Sequence, residues 1–475
     1  MAMGRRKKGS QGTLWVQASG LARSPGHPFY ERLNRILDKE GFDAFVEGEC
    51  AKFYAEQLGR PSMPPGMYFR LLILGYFEGI DSERGIAWRV ADSLTVREFV
   101  GLELGEAPPD HSTISRTRRL IDVETHQEVF AWALRVLTKR GLLKGKTLGV
   151  DSTTLEANAA LRSIVRRDSG EKYEEFLKRL AKESGIETPT RAQLAKLDRK
   201  RPGKGKNDDW RHPHDPDAAI TKMKDGRTHL AHKAEHAVDM ESGAVVAVRV
   251  ESASAGDHQT VEGLLEEVVE NLQAVIEDPE AKEELSESLM TELVADKGYH
   301  SNAVLEALQE QGVRTYISEP DRGKRNWKGK PGAQVATYNN RRRIRRAKGK
   351  RLQRRRGELI ERGFAHNYET GGLRRTHLRG HSNILKRVLI HVAGFNLSLV
   401  MRKLCGVGTP RSLQGRLGGI LLSLVAFLRR LQRLPSPQKR PFFISTTILR
   451  QLATRLASPI VLVLPSSQLV FTTGC

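Results

Sequence analysis

Two short apolar runs, Lys146-Thr-Leu-Gly-Val-Asp151 and Leu293-Val-Ala-Asp296, are each closed by an acid. Runs of this length with an acidic stop read as buried strands that deliver a carboxylate at a sheet edge. Around them, His229 to Asp239 and Ala244 to Val250 alternate about Glu241-Ser-Gly243, which is a hairpin signal. Val261 to Ile276 is an amphipathic helix, Ser301 can cap a helix running through Gln311, and Val313 to Ile317 makes one more strand. The order strand, insertion, strand pair, helix, strand, helix, strand, helix is mixed α/β.

The part before Lys146 reads as helical. Leu33, Ile36, Leu37, Phe42, Phe45 and Val46 recur at three- and four-residue steps, and Pro64-Pro65 introduces an apolar helix from Met67 to Gly79. Ile86 to Asp92 and Thr95 to Val100 are two short helices joined by a tight turn. After Pro108-Pro109, Asp110 or Ser112 can cap a further helix that carries Arg116, Arg118 and Arg119. Short helices with a basic final member suit a helix-turn-helix-like reader of DNA, and equally a helical bundle with solvated arginines. The expected organisation is a basic arm over 1–25, a helical N-terminal domain over 26–145, an α/β domain over 146–405 with a charged insertion near 163–215, and an extension over 406–475.

Charge narrows the partner. The 475 residues hold 78 Lys and Arg against 56 Asp and Glu, a net +22, which favours a polyanion. Sixteen of those cations lie between Arg322 and Arg356 with no acid among them, and Arg341, Arg342, Arg343, Arg345 and Arg346 are the densest part. Such a run is either a solvated face or a grip on phosphates beside a carboxylate site. Three cysteines far apart exclude a disulfide scaffold and fit a reducing compartment. The apolar run from Gly418 to Leu428 is shorter than a bilayer span, and the N-terminus lacks the apolar core of a secretory signal, so a membrane role is not expected.

Candidate chemistry rests on Asp151, Asp296 and Glu361. Hard divalent cations take oxygen ligands, and two such ions can activate and stabilise the oxygens of a phosphoryl transfer. Each acid could instead be a cap or a surface charge. A zinc site on His229, His232 and His236 is disfavoured, because on a strand His229 points away from the other two. No phosphate-binding Gly-x-x-x-x-Gly-Lys-Ser/Thr loop and no Gly-x-Ser-x-Gly elbow occurs.

Six motifs carry a resemblance: Arg84-Gly-Ile-Ala-Trp-Arg, Pro109-Asp-His-Ser-Thr, Gly149-Val-Asp-Ser-Thr-Thr-Leu-Glu-Ala-Asn, Lys222-Met-Lys-Asp-Gly-Arg-Thr-His-Leu, Ala295-Asp-Lys-Gly-Tyr-His and Ile360-Glu-Arg-Gly-Phe-Ala-His. In that order, over His27 to about Leu404, the chain resembles the DDE-type bacterial insertion-sequence transposases, specifically the insertion-sequence-4/5-like group. The resemblance implies an RNase H-like (retroviral-integrase-like) catalytic domain preceded by an all-α N-terminal domain that binds DNA ends. In that fold the first acid ends the first strand, the second follows the fourth strand, and the third sits on a late helix. The resemblance carries Asp151, Asp296 and Glu361 over as catalytic metal ligands for Mg²⁺ or Mn²⁺, two ions in all. It implies double-stranded DNA as partner, both terminal inverted repeats and target, with the protein acting as a homo-oligomer on that DNA in the bacterial cytoplasm. DNA contact is expected from Arg116, Arg118 and Arg119 and from the five arginines of the basic run.

The resemblance has a gap at the last acid. Relatives place it in a Tyr-x-x-Arg-x-x-x-Glu pattern with lysine seven residues on. Counted from Glu361, those places hold Arg354, Gly357 and Tyr368; counted from Glu358, Arg354 falls at the arginine place and Ala365 at the lysine place. Glu361 is preferred for its Phe-Ala-His context, and Glu358 is the alternative. The activity implied is metal-dependent cleavage at element ends and strand transfer into target DNA. A transposase-derived DNA-binding protein or repressor without catalysis is the second reading, and an RNA-binding protein a distant third.

Overall fold

The computed structural model describes residues 26–55, 62–103, 105–200, 205–223, 226–321, 323 and 325–413. The expected basic arm and the chain beyond 413 lie outside the described residues.

Helices fill the first part: α1 (Pro28–Lys39), α2 (Phe42–Cys50), α3 (Pro65–Glu78), α4 (Glu83–Asp92), α5 (Leu94–Phe99), α6 (His111–Leu120) and α7 (Val123–Thr138). Their starts follow from capping chemistry. Side-chain oxygens of Ser82, Ser93, Asp110 and Asp122 accept from first-turn amides of α4, α5, α6 and α7, which would otherwise lack partners. At the end of α3, Gly79 adopts φ +68, a left-handed stop that other residues resist.

A mixed sheet follows. β1 (Thr147–Glu156) is succeeded by the short pair β2 (Val165–Arg166) and β3 (Trp210–Arg211), then by β4 (Ala219–Lys222), β5 (Thr228–Asp239), β6 (Val245–Ser252), β7 (Glu292–Ala295) and β8 (Arg314–Ile317). The main sheet runs β4–β5–β1–β7–β8, with β6 also paired to β5. β1, β7 and β8 are parallel to one another, and β5 is antiparallel to β1 and β6. Leaving β4 aside, the spatial order is third, second, first, fourth, fifth strand, the RNase H-like arrangement with a helical region before it. The hairpin expected from the Glu241-Ser-Gly243 signal is β5–β6, and β4 is a strand that the alternation did not reveal.

The insertion is more than a linker. It contains α8 (Tyr173–Glu183) and α9 (Arg191–Lys200), and these close a small core of their own around Trp210, Phe176, Leu177, Ile164 and Leu194. The remaining helices are α10 (Asp257–Ile276), α11 (Pro279–Glu284), α12 (Asn302–Glu310), α13 (Pro331–Arg345), α14 (Ala347–Phe364) and α15 (His381–Cys405). The helical stretch His381–Leu413 is long and apolar enough to cross a bilayer, but 89% of its most apolar window is buried inside the protein. α15 is a core helix against α3, α7 and β6. One continuous apolar core therefore reaches from Phe29 to Val407, so the N-terminal helices and the sheet domain share their interior.

Candidate active site

The sheet brings the first two acids together. Parallel pairing of β1 with β7 ends at Gly149 opposite Val294, a pair that stands two residues before Asp151 on the one strand and two before Asp296 on the other, and Asp296 is near enough to act on the Asp151 carboxyl. Asp296 leaves β7 immediately and turns, its Oδ1 accepting the Gly298 amide at 2.8 Å. Asp151 differs from the expectation of a strand end: β1 continues to Glu156, held by β5 after β7 has departed. The carboxylate thus projects from a strand that remains rigid on one side and is open on the other.

Both Asp151 oxygens are engaged. Oδ1 accepts the Ser152 amide at 2.8 Å, and Oδ2 accepts Nη1 of Arg356 from α14 at 2.6 Å. Burial pushes the Asp151 carboxyl up and neighbouring Asp296 adds to the push, while Arg356 and the Ser152 amide pull it down. A carboxylate whose charged form is disfavoured by burial and by a neighbouring acid is an oxygen donor that a divalent cation would relieve. The pair fits a hard cation.

Glu361 is not gathered with them. α14 lays Gln353, Arg356 and Ile360 on the sheet; Gln353 donates to the Ala295 carbonyl at 3.0 Å, and Ile360 lies over Gly149. At roughly 100° per residue, Glu361 sits about 140° around the helix from Arg356, and it is exposed. Glu358 is exposed as well and is paired with Arg362 at 2.5 Å. Among the described residues no three His, Cys, Asp or Glu side chains are close enough to hold a metal. The histidines are taken up elsewhere: His232 Nε2 meets Asp215 Oδ2 at 3.2 Å, and His236 Nε2 meets the Tyr368 hydroxyl at 2.6 Å.

The basic residues divide into surface and structure. On α6, Arg116 and Arg119 are exposed, but Arg118 is buried in an ion pair with Glu83, so its expected DNA contact is corrected to a role inside the helical region. On α13, Arg341 forms a two-pronged pair with Glu319 at 2.6 and 2.8 Å. Arg343 donates to the Thr315 carbonyl and hydroxyl at 2.9 Å each, and burial pulls its pKa down. Those two arginines tie α13 to β8 and to Glu319 just beyond it, and both are partly buried. Arg342, Arg345 and Arg346 are exposed. Arg356 closes the basic run, and only the packing of α14 on β1 reveals what it does.

Comparison with known families gives two matches. Residues 19–120 match the family described as Transposase domain (DUF772). Residues 207–397 match the Transposase DDE domain, a stretch that includes Asp296 and Glu361 and begins after Asp151. No curated protein and no solved structure matches the chain.

Proposed function

Since the chain carries the domains of the DDE-type transposase family, we propose that it cuts DNA at the inverted-repeat ends of an insertion sequence and joins those ends to target DNA. The observation that carries this reading is the register of β1 and β7, whose last pair, Gly149 and Val294, stands two residues before each of the two acids. Asp151 and Asp296 would hold Mg²⁺ or Mn²⁺; Glu361 of α14, exposed and turned away from the pair in this structure, would have to come round to them to serve as third acid. Such ions, when bound, activate an attacking oxygen and stabilise the leaving one.

The chain's own residues do the rest. β5 and α14 fix the direction of Asp151, the first through the continuing ladder and the second through the Arg356 guanidinium. Arg342, Arg345 and Arg346 offer cations to phosphates, and Arg116 and Arg119 do so from α6. No protein nucleophile is needed, because water and a DNA 3′-hydroxyl serve in turn and catalysis is mainly positioning and charge stabilisation.

The test is strand cleavage of duplexes carrying the DNA that flanks the gene, with and without Mg²⁺. Cleavage at the element ends should require the ion and vanish in Asp151→Asn and Asp296→Asn, while both variants still bind the ends. Cutting by either variant at the wild-type rate would remove the assignment.

A further inference from the structure

We propose that Asp257, the first residue of α10, is a positioning residue that holds the Asp151 strand and the Asp296 turn in register for cation binding; the inference rests on the metal-dependent reading above. Its carboxylate lies between the residues that follow the two acids. Oδ1 accepts the hydroxyl of Ser152 at 3.0 Å, one residue past Asp151. Oδ2 lies against Gly298, two residues past Asp296, so closely that a Cβ built there would stand 2.3 Å from it. The same Cβ would be 3.1 Å from Oδ1 of Asp296.

Gly298 is therefore explained by space. Its φ is outside the left-handed region that favours glycine, so the backbone alone would accept other residues there. What excludes them is the Asp257 carboxylate. The glycine of Ala295-Asp-Lys-Gly-Tyr-His is the gap through which a third acid reaches the turn bearing the second.

Asp257 is also anchored from behind. Lys233 of β5, buried with 6% of its side chain exposed, places Nζ 3.2 Å from Asp257 Oδ1 and 2.9 Å from Glu235 Oε1. It donates further to the Ala255 carbonyl and the Thr260 hydroxyl, each at 3.0 Å. A buried ammonium without its carboxylates would be strongly unfavourable, so this cation locks Asp257 in place. An acid in a first helical turn can simply complement the helix dipole. Here, however, the amide of Gly256 is satisfied by Gln259 at 3.1 Å, and the Asp257 oxygens turn away to Ser152, Lys233 and Gly298.

Partners that orient metal-ligating carboxylates are worth roughly 10–100-fold in metal affinity. The measurement is Mn²⁺ binding to the full chain without DNA, read by the electron paramagnetic resonance of free Mn²⁺, beside the melting temperature of each variant. Asp257→Asn and Gly298→Ala should each weaken Mn²⁺ binding by about 10–100-fold; Gly298→Ala should melt within a few degrees of wild type, and Asp257→Asn lower, because Lys233 then keeps only Glu235. Should Asp257→Asn fail to fold because Lys233 loses a partner, Ser152→Ala removes only the hydroxyl bridge and should weaken Mn²⁺ binding by a smaller factor. Wild-type affinity in Asp257→Asn and Gly298→Ala, with weakened affinity in Asp151→Asn, would overturn this inference and leave the proposed function standing. Unchanged affinity in Asp151→Asn as well would instead overturn the metal-dependent reading and this inference with it.

Discussion

Arg356 of α14 donates Nη1 to Oδ2 of Asp151 at 2.6 Å, so the first acid of the site is oriented by the most basic segment of the chain. The guanidinium is largely buried, at 14% exposure, and its charge partly offsets the burial that pushes the Asp151 carboxyl up. Arg356→Ala should therefore cost roughly 10–100-fold in cleavage, as expected when a ligating carboxylate is deprived of its partner. Arg356→Lys should recover part of it, because an ammonium restores charge without the planar fork. Binding to duplex ends should survive both changes. Cleavage by Arg356→Ala within twofold of wild type would show that the contact is incidental.

The basic run separates into two sets with opposite expected phenotypes. Replacing Arg342, Arg345 and Arg346 with Ala should flatten the slope of log affinity against log salt by about 0.9 for each phosphate that is no longer neutralised, with melting unchanged. Sequence preference should hardly move, since these side chains meet backbone and not bases. Arg341→Ala and Arg343→Ala should instead lower the melting temperature, because Glu319 then keeps only Arg325 as a guanidinium partner and the Thr315 side of β8 loses its Arg343 donor. An unchanged salt slope in the triple variant would return the exposed three to the status of solvated surface.

Much of this site is legible as sequence, for physical reasons that differ by residue. Asp151 and Asp296 announce themselves because a buried strand is continuously apolar and an acid ends it. The extension of β1 to Glu156 is not visible, because Ser152, Thr153 and Thr154 are polar and are held by β5 and not by burial alone. Arg118, Arg341 and Arg343 look like their exposed neighbours, since charge runs carry no mark of which side chain finds a partner far along the chain. Asp257 and Lys233 are hidden for the same reason: their meeting depends on where α10 starts relative to β5.

The shared core bears on how the protein can be divided. α3 and α7 rest on α15, and their apolar residues belong to the cluster that includes Val388, Val392 and Met401. A fragment of residues 1–145 would uncover the faces of α3 and α7 that rest on α15, Tyr76 against His391 and Phe395 among them, so it should be poorly soluble or only partly folded. Circular dichroism and gel filtration of that fragment provide the check. A monodisperse, cooperatively melting fragment would show that the N-terminal helices stand alone after all.

Acid should destabilise the fold through three histidines that are buried without charge. His126, His236 and His391 are each pulled down to about 3, with burial the main cause. Their contacts suit the neutral ring. His126 Nδ1 lies 2.6 Å from the Asp122 carbonyl and must donate to it, which leaves Nε2, 3.0 Å from the Tyr68 hydroxyl, as acceptor. In the unfolded chain these rings titrate near the ordinary value of about 6.5. Between that value and about 3 the unfolded state binds more protons, so stability is complete above the unfolded pKa and falls as pH drops through this window. Each histidine contributes about 1.4 kcal/mol per pH unit at most, and the three together roughly 4. Melting temperatures at pH 7.5, 6.0 and 5.0 should fall progressively, and His236→Gln should make the fall shallower even though its stability at pH 7.5 is lower. A melting temperature that is flat from 7.5 to 5.0 would mean that these rings accept protons in the folded state.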